Sequence, residues 1–371
     1  MNTSTFSNIP VLNVNEIIKQ LSKSYSKLIN NNINIKAFPS IMLWGAPGVG
    51  KSQAIKQIAK EIEVLTNKKT KVIDVRLLLF NPIDLRGIPT VNQERTLSKW
   101  LKPQIFDMDD SSDIINILFL DEISSAPPSV QAAAYQITLD RVIGEHKLPD
   151  NCIVVAAGNR LNDQSVAYKM PKALANRLLH FEVESNFPTW KEWAISNNIN
   201  EKVIGFLSFK SDYLNSTEIN SEDLAFATPR TWEMVSNVLN IISNDIEEVE
   251  HIISGLIGVG TTIEFKTWCK VYNDLPNIQD IFDGKKVKVP KSTDTIYALI
   301  SSMVSYAYKN KHDLIKIGNS IKYACELPAD FSLILMQDYM CLEKNYKNKL
   351  LTLSEFNKWY NTKGRFLNGI V

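Results

Sequence analysis

The chain has 371 residues, and its 41 lysines and arginines nearly balance 40 aspartates and glutamates, which gives a formal net charge of +1. Hydrophobic residues make up 44% and charged residues 22%, values that exclude a disordered chain and are typical of a folded globular protein. The balanced charge provides no long-range attraction toward nucleic acid or acidic lipid. The length predicts two or three compact units.

The cysteines and histidines predict neither a disulfide framework nor a structural metal site. The four cysteines form no CxxC pair, and the four histidines form no HExxH motif. Scattered cysteines fit reduced thiols in a cytosol. Residues 1–14 lack a basic segment followed by an apolar stretch, and no run of about eighteen apolar residues occurs. We therefore expect a cytoplasmic protein that is neither secreted nor membrane-spanning.

The lysines at positions 285, 286, 288 and 291 have two interpretations. They could form a nucleic-acid-binding patch, or they could be a solvated loop. We favour the loop, because lysine is abundant throughout the chain. The sequence thus gives no strong signal for nucleic-acid binding.

Five short apolar runs predict the strands of a parallel sheet. Their nearly continuous apolar character is typical of strands that are buried on both faces. The runs are Ile41–Trp44, Val72–Val75, Ile115–Leu120, Ile153–Ala157 and Leu178–Val183. Helical spacing of apolar residues between them, clearest over 54–62 and 130–139, predicts a doubly wound α/β domain.

The flanking patterns are helical. Residues 11–30 carry apolar positions at helical spacing and precede a polar turn. After Pro188 the spacing is again helical, without convincing strands. The predicted parts are an N-terminal helix and turn (1–34), an α/β domain (35–187), a helical second domain (188–292) and a helical C-terminal extension (293–371).

A phosphate-binding loop, the Walker A motif, follows the first predicted strand. Its sequence GAPGVGKS fits GxxxxGKS, between a strand and a helix that begins near Ser52. Backbone N–H groups of such a loop surround phosphate oxygens, and the helix N-terminus adds positive potential. We expect Lys51 to reach the terminal phosphates of ATP and the Ser52 hydroxyl to bind Mg²⁺; the alternative is a glycine turn that only links strand and helix. The predicted nucleotide-binding residues are Gly45, Ala46, Pro47, Gly48, Val49, Gly50, Lys51 and Ser52.

A Walker B pattern follows the third predicted strand, which ends in Asp121-Glu122. Carboxylates at the carboxyl end of a parallel strand face the crevice in which such sheets bind ligands. We expect Asp121 to hold Mg²⁺ and Glu122 to orient and polarise the attacking water. The alternative is a strand end followed by a helix cap.

With both Walker motifs placed, the chain resembles AAA+ ATPases, and specifically the MoxR group that includes the CbbQ and NorQ chaperones. The resemblance covers about residues 35–260. Beyond the Walker motifs it depends on PIDLRGIP (82–89), VVAAGNR (154–160), LANRL (174–178) and TPRTWE (228–233). It implies a P-loop NTPase (AAA+) core with a five-stranded parallel sheet, followed by an all-α lid domain and a helical C-terminal extension.

The resemblance also implies roles for three polar residues. Asn159 is similar to the sensor 1 residue that hydrogen-bonds the γ-phosphate or the lytic water, although it could be a turn asparagine. Arg177 is similar to the arginine finger that acts on the neighbouring subunit's nucleotide; the alternative is a surface salt bridge. Arg230 is similar to sensor 2, carried by the lid domain, and could otherwise be an exposed arginine at a helix start.

Two further arginines, Arg160 and Arg141, also match or depart from the family's pattern. Many MoxR proteins have Asn-Pro at sensor 1, whereas this chain has Asn159-Arg160, which makes Arg160 a rival finger. Arg141 matches an arginine that the family places in a hairpin before the sensor 1 strand, and we expect it to be structural.

The segment 81–102 falls where this group carries an insertion that faces the ring's axial channel. By that resemblance Leu85, Arg86 and Trp100 are candidate contacts with a protein client.

The resemblance implies an ATP- and Mg²⁺-dependent chaperone ATPase that forms a homo-oligomeric ring, of six by analogy. It would remodel or activate a protein client, usually with a partner that carries a von Willebrand factor A-type domain. Two other functions stay open at this point: a nucleic-acid-dependent motor or loader on the same P-loop, and a nucleotide-gated scaffold with negligible turnover.

Overall fold

The computed structural model describes residues 8–160, 170–216, 223–343 and 345–364. The chain divides into two units, Met1–Ser185 and Asn186–Val371. The first unit contains a parallel sheet and the second is helical, which confirms the predicted α/β core followed by a helical region.

The first unit holds every strand that the structure describes. Short 3-10 turns lie at Ile35–Ala37, Leu77–Leu79 and Gln104–Phe106. In chain order the strands and helices are β1 (Val11–Asn13), α1 (Val14–Asn30), β2 (Ile41–Trp44), α2 (Lys51–Thr66), β3 (Lys69–Arg76), α3 (Pro82–Arg86), β4 (Ile88–Val91), β5 (Ser98–Leu101), β6 (Ile114–Asp121), α4 (Pro128–Asp140), β7 (Val142–Ile143), β8 (His146–Lys147), β9 (Cys152–Gly158), α5 (Lys172–Ala175) and β10 (Leu179–Glu184).

The main sheet has the strand order β1-β10-β2-β9-β6-β3, and all neighbouring strands are parallel. It has one strand more than the five predicted, because β1 pairs with β10 in the register Val11↔Glu182. Three residues are too few to show a periodic pattern, and their apolar positions also fit the following helix. That helix begins only at Val14, where Asn13 and Glu16 form a capping box.

The central strands β2, β6 and β9 are buried on both faces, as their apolar character predicts. The same prediction is wrong for the edge strand β3, in which exposed residues alternate with more buried ones. One face, with Met42, Leu118 and Val154, packs into a core that includes the apolar residues of α4. The alternate residues, such as Leu43 and Phe119, point to the other core, which includes α1 and α2. The sheet is therefore doubly wound, and its carboxyl edge carries the loops that follow β2, β6 and β9.

The predicted insertion forms α3 and an antiparallel hairpin of β4 and β5. Leu85 is only 1% exposed and belongs to the core under the sheet, so its predicted contact with a client is wrong. The side chain faces inward because α3 packs against α4. Arg86 is exposed and Trp100 is half-buried, and both stay candidates.

The second unit contains eleven helices among its described residues. Its 3-10 turns are Ser211–Leu214 and Lys270–Asp274. The helices are α6 (Phe187–Ser196), α7 (Glu201–Phe209), α8 (Pro229–Ile241), α9 (Ile246–Ile257), α10 (Val259–Cys269), α11 (Ile278–Phe282), α12 (Thr293–Lys309), α13 (Leu314–Ala324), α14 (Ala329–Met340), α15 (Tyr346–Leu351) and α16 (Ser354–Thr362).

One hydrophobic core runs through the second unit, from Trp190 in α6 to Trp359 in α16. Lys191 and Asp338 join α6 to α14 through a buried ion pair of 2.8 Å. Helices on both sides of residue 292 therefore share one core. The proposed division into a lid and a separate extension stays a prediction. Within the described residues, no helix is long and apolar enough to cross a membrane.

Candidate nucleotide-binding site

The predicted phosphate loop, residues 45–52, connects β2 to α2. Gly50 precedes the helix with φ 103°, a conformation that residues with a Cβ rarely adopt. A Cβ on Gly45 would lie 2.8 Å from the Val183 carbonyl oxygen, so β10 leaves no room for a side chain there. Ala46 and Val49 are buried, whereas Pro47 is exposed. The loop thus has the tight backbone that phosphate binding requires.

Lys51 is buried, and its ammonium group lies among three oxygen atoms. It donates to the carbonyls of Gly45 at 2.6 Å and Ala46 at 3.0 Å, and to Oδ1 of Asn159 at 3.1 Å. The last contact joins residues that are 108 positions apart in the sequence. Lys51 and Asn159 therefore lie side by side, as a shared contact with one terminal phosphate requires.

Ser52 and Asp121 also meet at this edge. The Ser52 hydroxyl donates to Oδ2 of Asp121 at 3.0 Å, and the backbone N–H of Glu122 donates to Oδ1 of the same carboxylate at 2.9 Å. Hydroxyl and carboxylate oxygens are hard ligands of the kind that Mg²⁺ prefers, and in nucleotide sites the phosphates supply further oxygens. The residues present therefore fit Mg²⁺, which Ser52 and Asp121 would hold.

Glu122 has a strained backbone, with φ 60°. The left-handed region costs a residue with a Cβ about 1–2 kcal/mol, and such strain is concentrated at functional sites. Its side chain is half-buried and its carbonyl accepts from the Ser125 N–H, which closes a turn directly after β6. The strain is a physical reason to assign Glu122 a function that a simple helix cap would not explain.

Two residues of this edge are missing from the sequence-based prediction. The Ser124 hydroxyl accepts the backbone N–H of Asn159 at 2.8 Å and so fixes the end of β9 against the Walker B turn. Asp74 lies on β3; its burial and the neighbouring Asp121 carboxylate raise the pKa of Asp74. Neither residue carries a motif. Only the pairing of β3, β6 and β9 brings them to the site.

Arg160, the rival finger, makes an ion pair within its own unit. Its Nη1 lies 2.7 Å from Oε1 of Glu182, and the side chain of Glu182 is only 3% exposed. Breaking such a pair leaves a buried carboxylate unpaired, which is strongly unfavourable. The arrangement favours a role for Arg160 inside its own subunit over a role in a neighbour.

Arg177 lies at the opposite edge of the sheet. It precedes β10, whose first residue, Leu179, pairs with Ile41 at the start of β2, whereas the phosphate loop follows the end of β2. The exposed Arg177 lines a pocket of about 370 Å³ at this edge. The other lining residues are Lys36, Phe38, Pro39, Ser40, Thr138, Leu139, Asp140, Arg141 and Lys147.

Arg141 is buried, and its guanidinium bonds to backbone carbonyls, as expected of a residue with a structural role. Its guanidinium donates to the carbonyls of Cys152 at 2.8 Å and Phe38 at 3.5 Å. Burial lowers the pKa of Arg141, while the nearby Cys152 and Tyr25 act in the opposite direction. Its contacts thus join α4 to β9 and to the segment before β2.

Arg230 belongs to the second unit. It is the second residue of α8, is exposed, and follows Thr228, which forms a capping box with Thr231. The cap fixes the helix start from which Arg230 projects. A sensor 2 role for this residue stays a prediction.

Comparison with known proteins identifies the domain. Residues 40–180 match the model of the ATPase family associated with various cellular activities (AAA). Chaperone MoxR1 of Mycobacterium tuberculosis is 26% identical over 156 residues, which cover 41% of this chain and 37% of that protein. The chain carries a MoxR-type AAA+ domain. The similarity to MoxR1 thus spans little more than a third of the curated relative.

Solved structures also match the chain. A variant of RuvB from Thermotoga maritima has a TM-score of 0.35 at 14% identity, over 79% of this chain and 83% of that one. NtrX from Brucella abortus in complex with ATP has a TM-score of 0.37 at 12% identity, over 98% and 69%. The match to the AAA family model, over residues 40–180, includes both Walker motifs, Asn159 and Arg177. Arg230 lies beyond the matched residues.

Replacing Lys51 with alanine should weaken ATP binding, because it removes a charged donor beside the phosphate loop. Hydrogen bonds to charged groups contribute about 1.5–3 kcal/mol, so the affinity should fall about 10- to 100-fold. Fluorescent-nucleotide titration measures the change. Lys60→Ala, on the exposed face of the same helix, is the matched control and should bind as the wild type does. Equal affinities of Lys51→Ala and the control would remove Lys51 from the site.

Proposed function

We propose that this MoxR-type chain binds and hydrolyses ATP as one subunit of a closed ring and uses the reaction to remodel or activate a protein client. The observation that carries the proposal is the convergence of four polar side chains at one sheet edge. Lys51 lies 3.1 Å from Asn159, and Ser52 lies 3.0 Å from Asp121. These contacts support the proposal because they bring together, from three separate stretches of sequence, the side chains proposed to bind phosphate, to hold the metal and to sense the γ-phosphate.

Within one subunit, the loop N–H groups and Lys51 would bind the β- and γ-phosphates. Ser52 and Asp121 would hold Mg²⁺, which neutralises phosphate charge when bound. Asn159 would hydrogen-bond the γ-phosphate or the attacking water. Its position is fixed from behind by the Ser124 hydroxyl.

Glu122 would orient the attacking water and accept its proton as the new oxygen–phosphorus bond forms and the β–γ bridge breaks, which yields ADP and phosphate. Its backbone N–H contacts the Asp121 carboxylate, and its φ of 60° departs from the extended conformation of β6. The two neighbouring carboxylates therefore have separate tasks in the proposed reaction.

Arg177 would complete the site of the neighbouring subunit. Its own phosphate loop lies at the other edge of the sheet, a distance of about 13 Å along the four residues of β2 at 3.3 Å per residue. A head-to-tail contact repeated around an axis closes into a ring and would set this edge against the next subunit's phosphate loop. Arg230 would act as sensor 2 and couple the helical unit to the γ-phosphate.

The client and partner parts of the proposal depend on the resemblance to MoxR proteins. One structural feature supports a client contact at the β4–β5 hairpin, where Ile88 and Leu101 face each other and are 61% and 59% exposed. Exposed apolar surface of this kind is typical of protein-binding sites. We propose that these residues, with Arg86 and Trp100, contact the client, and that a von Willebrand factor A-domain protein is the partner.

Replacing Glu122 with glutamine should preserve ATP binding and lower turnover at least about 10²-fold, because the amide cannot accept the water's proton. Phosphate release and nucleotide affinity should be measured on the same preparation. Glu145→Gln, at an exposed position of the β7–β8 hairpin, is the control and should hydrolyse ATP normally. A wild-type rate in Glu122→Gln would show that another group activates the water.

Replacing Arg177 with alanine should leave ATP binding intact and slow hydrolysis, because a finger supplied in trans contributes about 10³- to 10⁵-fold in related NTPases. Mixed rings of Arg177→Ala and Lys51→Ala subunits should regain part of the activity, since some interfaces pair an intact phosphate loop with an intact finger. Phosphate release across mixing ratios measures this recovery.

Arg160→Ala is the control for the mixing experiment. Because Arg160 is paired with Glu182 in its own subunit, Lys51→Ala subunits should not rescue it. The assignment of the finger to Arg177 fails if the mixed Arg177 rings co-assemble without regaining activity. It fails equally if the Arg160 variant alone is rescued.

A further inference from the structure

His180 joins the strand before the phosphate loop to the turn that carries Arg177. Its Nδ1 lies 3.0 Å from Nε1 of Trp44, the residue directly before the loop. Its Nε2 lies 2.7 Å from the carbonyl oxygen of Ala175. The planes of the imidazole and the indole are inclined by only 16°, and the ring centroids lie 6.2 Å apart.

The partners of His180 define its tautomer. An indole N–H can only donate, so Nδ1 of His180 must accept from Trp44. A carbonyl can only accept, so Nε2 must carry the proton that is donated to Ala175. The ring is therefore neutral, with its proton on Nε2, and both of its nitrogens have partners.

The Ala175 carbonyl has a second donor that makes it important for the finger. The Leu178 N–H donates to it at 3.2 Å, which closes a turn with Asn176 and Arg177 at its centre. The preceding helix, α5, has only four residues, and a helix of that length has little stability of its own. The hydrogen bond from His180, a residue of β10, thus stabilises the position of the carbonyl that closes this turn.

We propose that His180 is a positioning residue for the arginine finger. Through its contacts with Trp44 and Ala175 it fixes the position of the Arg177 turn relative to β2, the strand that leads into the phosphate loop. The inference rests on the proposed finger role of Arg177. It predicts that the ring of His180 affects hydrolysis at the neighbouring subunit's site while its own subunit's ATP binding is unchanged.

The test is the replacement of His180 with phenylalanine, which keeps an aromatic ring and removes both hydrogen bonds. A misplacement of about 1 Å in a catalytic group can cost about 10²-fold in rate, so we expect kcat to fall about 10- to 100-fold, with an unchanged KM for ATP. His180→Gln retains an amide donor near the position of Nε2 and should recover most of the rate. Trp44→Phe removes the indole donor and part of the ring but leaves the contact of His180 with Ala175 in place, so it should cause a smaller loss.

His146→Phe is the matched control. It removes another contact between an imidazole Nε2 and a backbone carbonyl, that of Trp100 at 2.8 Å, at a position remote in sequence from the Arg177 turn. We expect it to retain the wild-type kcat. Circular dichroism and thermal denaturation of all variants provide the comparison of folding.

Mixed rings separate positioning from a purely structural role. His180→Phe subunits keep an intact phosphate loop, so Lys51→Ala subunits, whose fingers are intact, should restore activity to them. A wild-type kcat in His180→Phe, with Arg177→Ala defective, would overturn this inference alone. A rise in KM, or a defect that mixing does not restore, would assign His180 a structural role and also overturn it. Normal hydrolysis by Arg177→Ala would overturn both this inference and the proposed finger.

Discussion

The parallel arrangement of β2, β9 and β6 is the constraint on which the candidate site depends. Because the three strands are neighbours and point the same way, the loops that follow them meet at one edge. At this edge the start of α2, which follows β2, contacts the ends of the other two strands: Lys51 contacts Asn159 directly after β9, and Ser52 contacts Asp121 at the end of β6. A strand in the opposite direction would carry its polar residues to the far edge.

The same arrangement places Arg177 where its own subunit has no phosphate loop. β10 starts beside the start of β2, so the turn before it lies at the amino edge. This geometry makes assembly part of the proposed chemistry, since each subunit would contribute a phosphate loop at one edge and a finger at the other. His180 connects the phosphate-loop strand with the finger turn: its Nδ1 contacts Trp44 at the end of β2, and its Nε2 contacts the Ala175 carbonyl before the turn.

Much of this site is predictable from sequence because its chemistry requires particular residues at fixed spacing. The GxxxxGKS loop and the Asp-Glu pair after an apolar strand locate Lys51, Ser52 and Asp121 without a structure. Long buried strands are similarly visible, because burial on both faces leaves a continuous apolar run. The three-residue β1 leaves no such pattern and becomes a strand only through pairing with β10.

Other features depend on long-range packing that no local pattern records. Leu85 has apolar neighbours, Ile83 and Ile88, that are exposed, yet α3 packs Leu85 itself into the core. The pairing of Arg160 with Glu182 joins residues 22 positions apart, and it favours Arg177 over Arg160 as the proposed finger. The contact of Ser124 with Asn159 and that of His180 with Trp44 depend on which strands are neighbours, so only the three-dimensional arrangement shows them.

The dependence of ATP turnover on protein concentration tests the central claim most directly, because a finger supplied in trans exists only in the assembled ring. Phosphate release per subunit should be measured over a dilution series with saturating Mg²⁺-ATP, while light scattering reports assembly. The account predicts low turnover for the monomer and a rise that follows ring formation to a plateau. Turnover per subunit that stays constant from monomer to assembled ring would contradict it.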